Sequence, residues 1–315
     1  MLRIAPVPKT DPFGYYSAEG PGTFEGTLAA VLGVDGCVVT RAAFQHLWDG
    51  RSPDGLRKLG RTRRFRAWDV VAIDPKSLPI YEVLHPESTL DIEAARRTAS
   101  RAMLALLEER CAWARRGAGG TKLEKAVGLL TSRFPHKLSR ALQPASHTHH
   151  ILWSLTQRLD SSWGALPGIR STRAARNRNG RHGSGHRSAL YLAKREAGEV
   201  YQAVLRAELE RHGYRTRDRE GFGFELVGVS DRLMRHFSRR RPELLAHAER
   251  LRAEHGDRVP EQKLLVWAAR GSRAEKPKDL SLPTLEARWR EEARALERGV
   301  KLAPPTPSRE RGRDR

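Results

Sequence analysis

Apolar residues recur at helical spacing in two long stretches of the chain, one from Ser88 to about residue 115 and one from about Ser188 to His212. Each stretch therefore predicts an amphipathic helix. Ser88, followed by Asp91, fits the N-cap of the first helix, and Gly213 fits the stop of the second. The predicted buried positions are Ile92, Ala95, Ala99, Met103, Leu106 and Leu107 in the first helix, and Leu190, Ala193, Ala197, Val200 and Val204 in the second.

Shorter apolar or alternating stretches predict strands near residues 65–73, 126–138, 147–157 and 223–229. Helices interrupted by strands that pair antiparallel favour an α+β fold. Beyond about residue 230 the chain reads as a series of short helices, and its last residues have the composition of a disordered tail. The predicted units are 1–229, a helical C-terminal subdomain at 230–302 and a tail at 303–315, with one large domain as the alternative.

The excess of basic residues indicates which class of molecule the chain binds. The chain has 58 Lys and Arg against 37 Asp and Glu, a formal net charge of +21, which favours polyanions and above all nucleic acid. A basic insert at about 168–187 contains no acidic residue and resembles a loop that follows a DNA backbone, with a solvated disordered insert as the alternative. Its predicted DNA contacts are Arg173, Arg176, Arg178 and Arg181.

Three histidines have the spacing of a metal site within FPHKLSRALQPASHTHHIL (134–152). On a strand, His147 and His149 share one face while His150 points to the other, and an antiparallel neighbour brings His136 opposite the pair. Neutral imidazole suits zinc, copper, nickel and iron, and three protein ligands leave positions open for a substrate oxygen. A solvated strand edge or a fragment of a structural zinc site is the alternative.

This segment resembles the metal motif of conjugative relaxases of the TrwC/TraI (MobF) type, which are HUH endonucleases. WDVVAIDPKS (68–77) and AFQHLWDGRSPDG also resemble motifs of that family, and the resemblance covers about residues 1–300. It implies a two-layer sandwich: a five-stranded antiparallel sheet, the HUH palm, with helices on one face and the metal on the open face. It also implies that the helices of the C-terminal subdomain pack on the DNA side.

The same resemblance assigns roles to residues. A tyrosine ahead of the histidine motif implies a nucleophile, and we predict Tyr15 in preference to Tyr16. Asp69 is expected to hydrogen-bond the first histidine, His136, or to accept the tyrosine proton. Lys76 and Arg140 are predicted DNA contacts. Unlike the better-known relaxases, the chain has one tyrosine pair rather than two, and Asp74 and Gln143 replace family residues.

The predicted function is therefore metal-dependent, site-specific nicking and religation of one DNA strand at a plasmid transfer origin, through a 5′-phosphotyrosine. The alternatives are a catalytically weakened or inactive single-strand DNA-binding protein of the same fold and, disfavoured by the order of tyrosine and histidines, a rolling-circle initiator. The expected cofactor is one divalent ion, Mg²⁺ or Mn²⁺ in use, with Zn²⁺ or Ni²⁺ as alternatives.

The expected partner is single-stranded DNA with an adjacent duplex or hairpin, together with relaxosome accessory proteins, a coupling protein and a separate helicase. Two cysteines and the lack of an apolar run of about 20 residues predict a cytoplasmic protein without membrane insertion.

Overall fold

An antiparallel sheet forms the centre of the computed structural model, which describes residues 2–7, 10–60, 66–117, 122–167, 189–256, 259–271 and 281–298. Every neighbouring pair of strands in this sheet runs antiparallel. In spatial order the strands are β1 (Leu2–Pro6), β4 (Ala67–Ile73), β8 (Pro144–Trp153), β7 (Thr131–Leu138), β2 (Gly22–Glu25) and β3 (Val38–Val39).

The mixed α+β prediction is confirmed, but the predicted count of five strands is wrong because the sheet has six. The edge strand β3 contains only two residues, too few for an alternating pattern to mark it. The predicted strand at 147–157 breaks at Ser154, and the one near 223–229 lies outside the main sheet. The remaining strands form three hairpins: β5 (Trp113–Arg116) with β6 (Lys122–Lys125), β9 (Leu155–Gln157) with β10 (Trp163–Ala165), and β11 (Thr216–Asp218) with β12 (Phe224–Leu226).

Two long helices, α5 (Thr89–Cys111) and α6 (Ala189–Arg211), pack on one face of the sheet. Their apolar stripes are close to those predicted, although α6 buries Tyr201 and Leu205 rather than Val200 and Val204. Ser88 takes the N-cap position of α5, but its hydroxyl donates to the His85 carbonyl instead of capping the helix. These helices and the sheet bury the larger of the apolar cores.

Short helices also cover part of the opposite face, so the prediction of helices on one face only is wrong. They are α1 (Pro12–Ser17), α2 (Thr27–Val31) and α3 (Arg41–Trp48). Their aromatic and aliphatic side chains pack on Phe24, Phe134, Ile151 and Trp153 of the sheet. Because their apolar residues are spread over short, irregular segments, no long periodic pattern reveals them. The other end of the same face carries His136 of β7 and His147 and His149 of β8.

The C-terminal part of the described chain is helical. Its helices are α7 (Asp231–His236), α8 (Arg240–His255), α9 (Glu261–Gly271) and α10 (Leu282–Glu297), and α4 (Ser77–Leu84) follows β4. Leu285 and Trp289 of α10 pack with Ile80 of α4 and Leu138 of β7, while α8 and α9 share a small cluster of their own. The boundaries at 229 and 302 stay predictions, and the predicted basic insert and tail lie outside the described residues.

Among the described residues, every helix is too short or too polar to cross a bilayer.

Candidate metal centre and active site

Three histidines converge on the open part of the sheet face. Antiparallel pairing places His136 of β7 directly opposite His147 of β8, and His149 lies two residues further along the same face of β8. The ring centroids are 5.4 Å apart for His136 and His147, 4.6 Å for His136 and His149, and 5.0 Å for His147 and His149. One ligand atom from each ring lies within 4.8 Å of the other two. We refer to these residues as the histidine triad.

Hydrogen bonds at Nδ1 orient two of the rings. His149 Nδ1 lies 2.7 Å from Asp69 Oδ1, and His147 Nδ1 lies 2.7 Å from the Ala145 carbonyl oxygen. Both neighbours are acceptors, so in the neutral rings Nδ1 carries the proton and Nε2 carries the lone pair. His149 Nε2 is buried and has no hydrogen-bond partner in the described part of the chain. A buried lone pair in a cluster of imidazoles fits a divalent metal.

Asp69 therefore lies behind His149, and the prediction that it supports His136 is wrong. The reason is the order of the strands: β4, which carries Asp69, pairs with β8 and not with β7. Asp69 is paired with Ile151, diagonally next to His149 on the same face. Its second carboxylate oxygen lies 3.9 Å from the guanidinium of Arg3.

His136 has a different carboxylate, Glu19, which sequence reasoning missed. Glu19 Oε1 lies 3.7 Å from His136 Nδ1, and Oε2 accepts hydrogen bonds from the backbone amides of Lys137 (2.6 Å) and Leu138 (3.0 Å). His136 Nε2 lies 2.7 Å from the carbonyl oxygen of Tyr16. A carbonyl oxygen only accepts, so in the neutral ring Nε2 carries the proton and Nδ1 carries the lone pair. A metal bound at Nε2 would therefore displace the hydrogen bond to Tyr16. No spacing in the sequence signals Glu19, because its contacts depend on how the turn after α1 packs against the end of β7.

The tyrosine pair lies on α1, beside the triad. Successive residues of a helix point in different directions, and here Tyr15 is 39% exposed whereas Tyr16 is fully buried. The Tyr15 ring centroid is 5.9 Å from that of His149 and 6.3 Å from that of His136. The Tyr16 ring stacks on Phe134 at 5.8 Å, and burial, with the charge of Asp69, raises the pKa of its hydroxyl well above the ordinary value.

The predicted DNA-contact residues fall into three groups. Arg140 lies in the turn between β7 and β8, with its guanidinium carbon 6.0 Å from the Tyr15 ring centroid, so it belongs to the site. Lys76 is half-buried and donates to the Pro144 carbonyl at 2.6 Å, and burial lowers its pKa to about 8. The structure gives Lys76 a tertiary contact, and its DNA contact stays a prediction. Arg173, Arg176, Arg178 and Arg181 lie outside the described residues.

Comparison with known proteins assigns the family. The sequence profile described as TrwC relaxase matches residues 5–296. The chain belongs to the TrwC relaxase family. It is 28% identical over 214 residues to the multifunctional conjugation protein TraI of Escherichia coli, and 27% identical over 213 residues to TraI of strain K12. Each alignment covers 66% of this chain but only 11% of the TraI sequence, so the chain corresponds to a small part of these relatives.

Solved structures of TrwC share the fold over nearly the whole chain. A metal-bound structure of the conjugative relaxase TrwC with oriT DNA has a TM-score of 0.75 at 24% identity, and a copper-bound one has 0.74 at 24%. TrwC with a 27-mer DNA comprising the recognition hairpin and the cleavage site has a TM-score of 0.72 at 25% identity. All three cover 96% of this chain and 99% of the TrwC chain, so the long helices and the central sheet are those of the family.

Proposed function

We propose that this chain is a metal-dependent DNA relaxase that nicks and religates one strand at a plasmid transfer origin. Membership of the TrwC relaxase family supports this proposal, as do TrwC structures that hold oriT DNA and relatives named conjugation proteins. The observation that carries it is geometric: the exposed phenol Tyr15 lies beside three convergent histidines. A tyrosine next to a metal site has the elements needed to attack a phosphodiester and keep the bond energy in a covalent link.

In the proposed reaction, the Tyr15 hydroxyl oxygen attacks the phosphorus of the scissile phosphate and loses its proton. A phosphorus–oxygen bond to Tyr15 forms as the bond to the 3′ oxygen of the preceding nucleotide breaks. That oxygen leaves with the electron pair and takes up a proton, which yields a free 3′-hydroxyl and a 5′-phosphotyrosine. The number of phosphoester bonds is unchanged, so the reverse attack by the 3′-hydroxyl reseals the strand without an energy source.

His136, His147 and His149 are the residues that would hold one divalent ion, which would supply Lewis-acid stabilisation of the charge on the phosphate oxygens. An all-imidazole donor set binds zinc, copper, nickel and iron more readily than Mg²⁺. The proposal that Mg²⁺ or Mn²⁺ is the ion in use therefore rests on which ion is available and supports turnover of the enzyme. It does not rest on which ion the three imidazoles bind most tightly.

Asp69, Arg140 and Tyr16 have further roles in the proposed reaction. Asp69 fixes the tautomer and orientation of His149 through the 2.7 Å hydrogen bond. Arg140 brings a permanent positive charge to Tyr15, where it can contact a phosphate. Tyr16 keeps its proton, because burial raises the pKa of its hydroxyl, and acts as a packing residue under Tyr15.

Single-stranded DNA with an adjacent duplex or hairpin is the proposed partner, and the net charge of +21 supports strong, salt-dependent binding to it. Relaxosome accessory proteins, a coupling protein, a separate helicase and a cytoplasmic location complete the proposal.

A covalent-capture experiment tests the function without knowledge of the target site. The full chain is incubated with a labelled library of randomised single-stranded DNA and Mn²⁺, and protease-sensitive adducts are isolated on a denaturing gel and sequenced. We expect an enriched sequence and an adduct that EDTA and Tyr15→Phe both abolish, whereas Tyr16→Phe retains it. DNA binding without an adduct would instead establish the single-strand binding alternative, and an adduct that survives Tyr15→Phe would refute the assigned nucleophile.

A further inference from the structure

Glu19 connects α1, the helix that carries Tyr15 and Tyr16, to β7, the strand that carries His136. It follows α1 by two residues, and its side chain is only 7% exposed. One carboxylate oxygen accepts from two backbone amides of β7, and the other lies 3.7 Å from the His136 ring. A buried carboxylate is costly unless it is hydrogen-bonded, and the two amides satisfy Oε2.

The pairing of β7 with β8 becomes irregular just after His136, with the extra residue on β8. His136 pairs with His147, but the next pair joins Leu138 to Pro144, so the register shifts between His136 and Leu138. Such a bulge removes residues from the regular ladder of backbone hydrogen bonds. The amides of Lys137 and Leu138 donate instead to Glu19 Oε2, at 2.6 and 3.0 Å. Glu19 therefore supplies the acceptor that the sheet does not supply at this point.

α1 also contacts β7 at a second point. The Tyr16 carbonyl oxygen lies 2.7 Å from His136 Nε2, which donates to it. α1 and β7 are thus joined on both sides of the His136 ring, by the backbone of Tyr16 and by the side chain of Glu19. Tyr15 is the residue before Tyr16, so its distance from the triad depends on these contacts.

We infer that Glu19 is a positioning residue that holds the His136 ring in place for a metal and holds α1, with Tyr15, against the triad. This inference deepens the proposed function and rests on it only for the role of Tyr15. Carboxylates that support a ligating histidine typically contribute about 10–100-fold to metal affinity. Misplacement of a reacting group by about 1 Å can lower a rate by about 100-fold.

Two substitutions separate the two roles in the full-length chain. In Glu19→Gln, the amide oxygen can still accept from Lys137 and Leu138, but the negative charge beside His136 is lost. Glu19→Ala removes both. We expect the Kd for Mn²⁺, measured by electron paramagnetic resonance of the free ion, to rise about 10–100-fold in both variants. We expect hydrogen exchange at the Lys137 and Leu138 amides to accelerate only in Glu19→Ala. At saturating Mn²⁺ the rate of adduct formation should fall about 100-fold in Glu19→Ala and much less in Glu19→Gln.

Glu108→Ala is the matched control for Glu19→Ala. Glu108 also accepts from two backbone amides, those of Thr27 (2.8 Å) and Leu129 (2.9 Å), but its hydrogen bonds among the described residues do not involve the triad. It should weaken the fold while leaving the Mn²⁺ Kd unchanged. A wild-type Mn²⁺ Kd in Glu19→Ala overturns the inference, whatever the change in stability. If the wild-type chain forms no adduct, the proposed function fails, but Mn²⁺ binding and amide exchange still decide the role of Glu19.

Discussion

His149 and His150 are neighbours in β8, yet they lie on opposite faces of the sheet and have different chemistry. His149 donates to Asp69 and contacts the tyrosine pair, with a ring-centroid distance of 5.1 Å to Tyr16. His150 is completely buried beneath the long helices, and neither of its ring nitrogens has a hydrogen-bond partner among the described residues. Burial, together with the charge of Arg133, lowers the pKa of His150 well below its ordinary value. One imidazole is placed to bind a metal, and the other stays neutral in the core.

The carboxylates of the two faces differ in the same way. On the metal face, Asp69 is hydrogen-bonded to a histidine. On the helix face, the buried Arg96 binds both Asp74 at 2.6 Å and Glu82 at 2.8 Å, and the Tyr201 hydroxyl donates to Asp74. Asp74 and Glu82 are thus paired with an arginine, whereas Asp69 is hydrogen-bonded to a histidine of the triad. Metal binding is therefore expected on one face, and the charged groups of the other join the helices to the sheet.

The largest expected difference between the faces comes from changing the adjacent histidines. His149→Ala removes one of three ligands and should weaken Mn²⁺ binding by more than about 100-fold, beyond the range of groups that only support a ligand. His150→Ala should leave the Mn²⁺ Kd unchanged and lower only the free energy of unfolding. Electron paramagnetic resonance and urea unfolding measure the two quantities, and equal losses of Mn²⁺ affinity would remove the distinction.

Arg96→Ala should produce the largest loss of stability on the helix face. It leaves Asp74 and Glu82 buried without their guanidinium partner, which typically costs about 3–5 kcal/mol in the free energy of unfolding. Arg195→Ala, which removes an exposed pair with Glu199, is the control and should change stability by less than about 0.5 kcal/mol. A urea titration in which both variants unfold alike would contradict the assignment of a buried network.

At alkaline pH, the protonation of Lys76 is expected to affect the free energy of unfolding. Its ordinary pKa is 10.5, and burial lowers it to about 8 in the folded chain. Between these values the unfolded chain holds the Lys76 proton and the folded chain does not, so the contribution of Lys76 to the free energy of unfolding increases as the pH rises. The gain should reach up to about 3 kcal/mol, since one unit of pKa is about 1.4 kcal/mol.

Lys76→Met should lack this gain when unfolding is followed from pH 8 to 10.5. Lys125→Met should keep it, because Lys125 is exposed although it also donates to a backbone carbonyl, that of Glu109. Parallel curves for wild type and Lys76→Met would show that the ammonium is well solvated in the folded chain.

A smaller effect is expected from Asp69→Asn. The amide cannot stabilise the ligating His149 as a carboxylate does, and Mn²⁺ affinity should fall about 10–100-fold. Asp91→Asn provides the control, because Asp91 is also a carboxylate beside a histidine, 3.6 Å from His212, but lies outside the triad. An unchanged Mn²⁺ Kd in Asp69→Asn would mean that the hydrogen bond does not support the site.

The smallest effect should come from Tyr16→Phe. The Tyr16 hydroxyl is buried without a hydrogen-bond partner in the described part of the chain, so its removal leaves no new group unpaired. The free energy of unfolding should change by less than about 1 kcal/mol, and thermal unfolding measures this. A much larger loss would indicate that the hydroxyl is bonded in the native state.

Much of the site follows from local pattern. The HxH spacing predicts that His147 and His149 share a face and that His150 does not, because strand alternation depends only on neighbouring residues. The long helices α5 and α6 follow from apolar periodicity for the same reason. β3 is too short, and α1 to α3 too irregular, to carry such a signal. The family resemblance places Asp69 beside His136. Only the order of the strands in the sheet shows that Asp69 lies beside His149 instead.

The amino-acid sequence determines which chemical groups are present and which face of its own strand or helix each one occupies. Strand order places Asp69 behind His149, packing against Phe134 buries Tyr16 and leaves Tyr15 exposed, and the turn after α1 brings Glu19 to His136. These are contacts between segments that are distant along the chain. Alternation and helical period act over a few residues, whereas such contacts depend on how the whole core packs, so only the tertiary structure decides them.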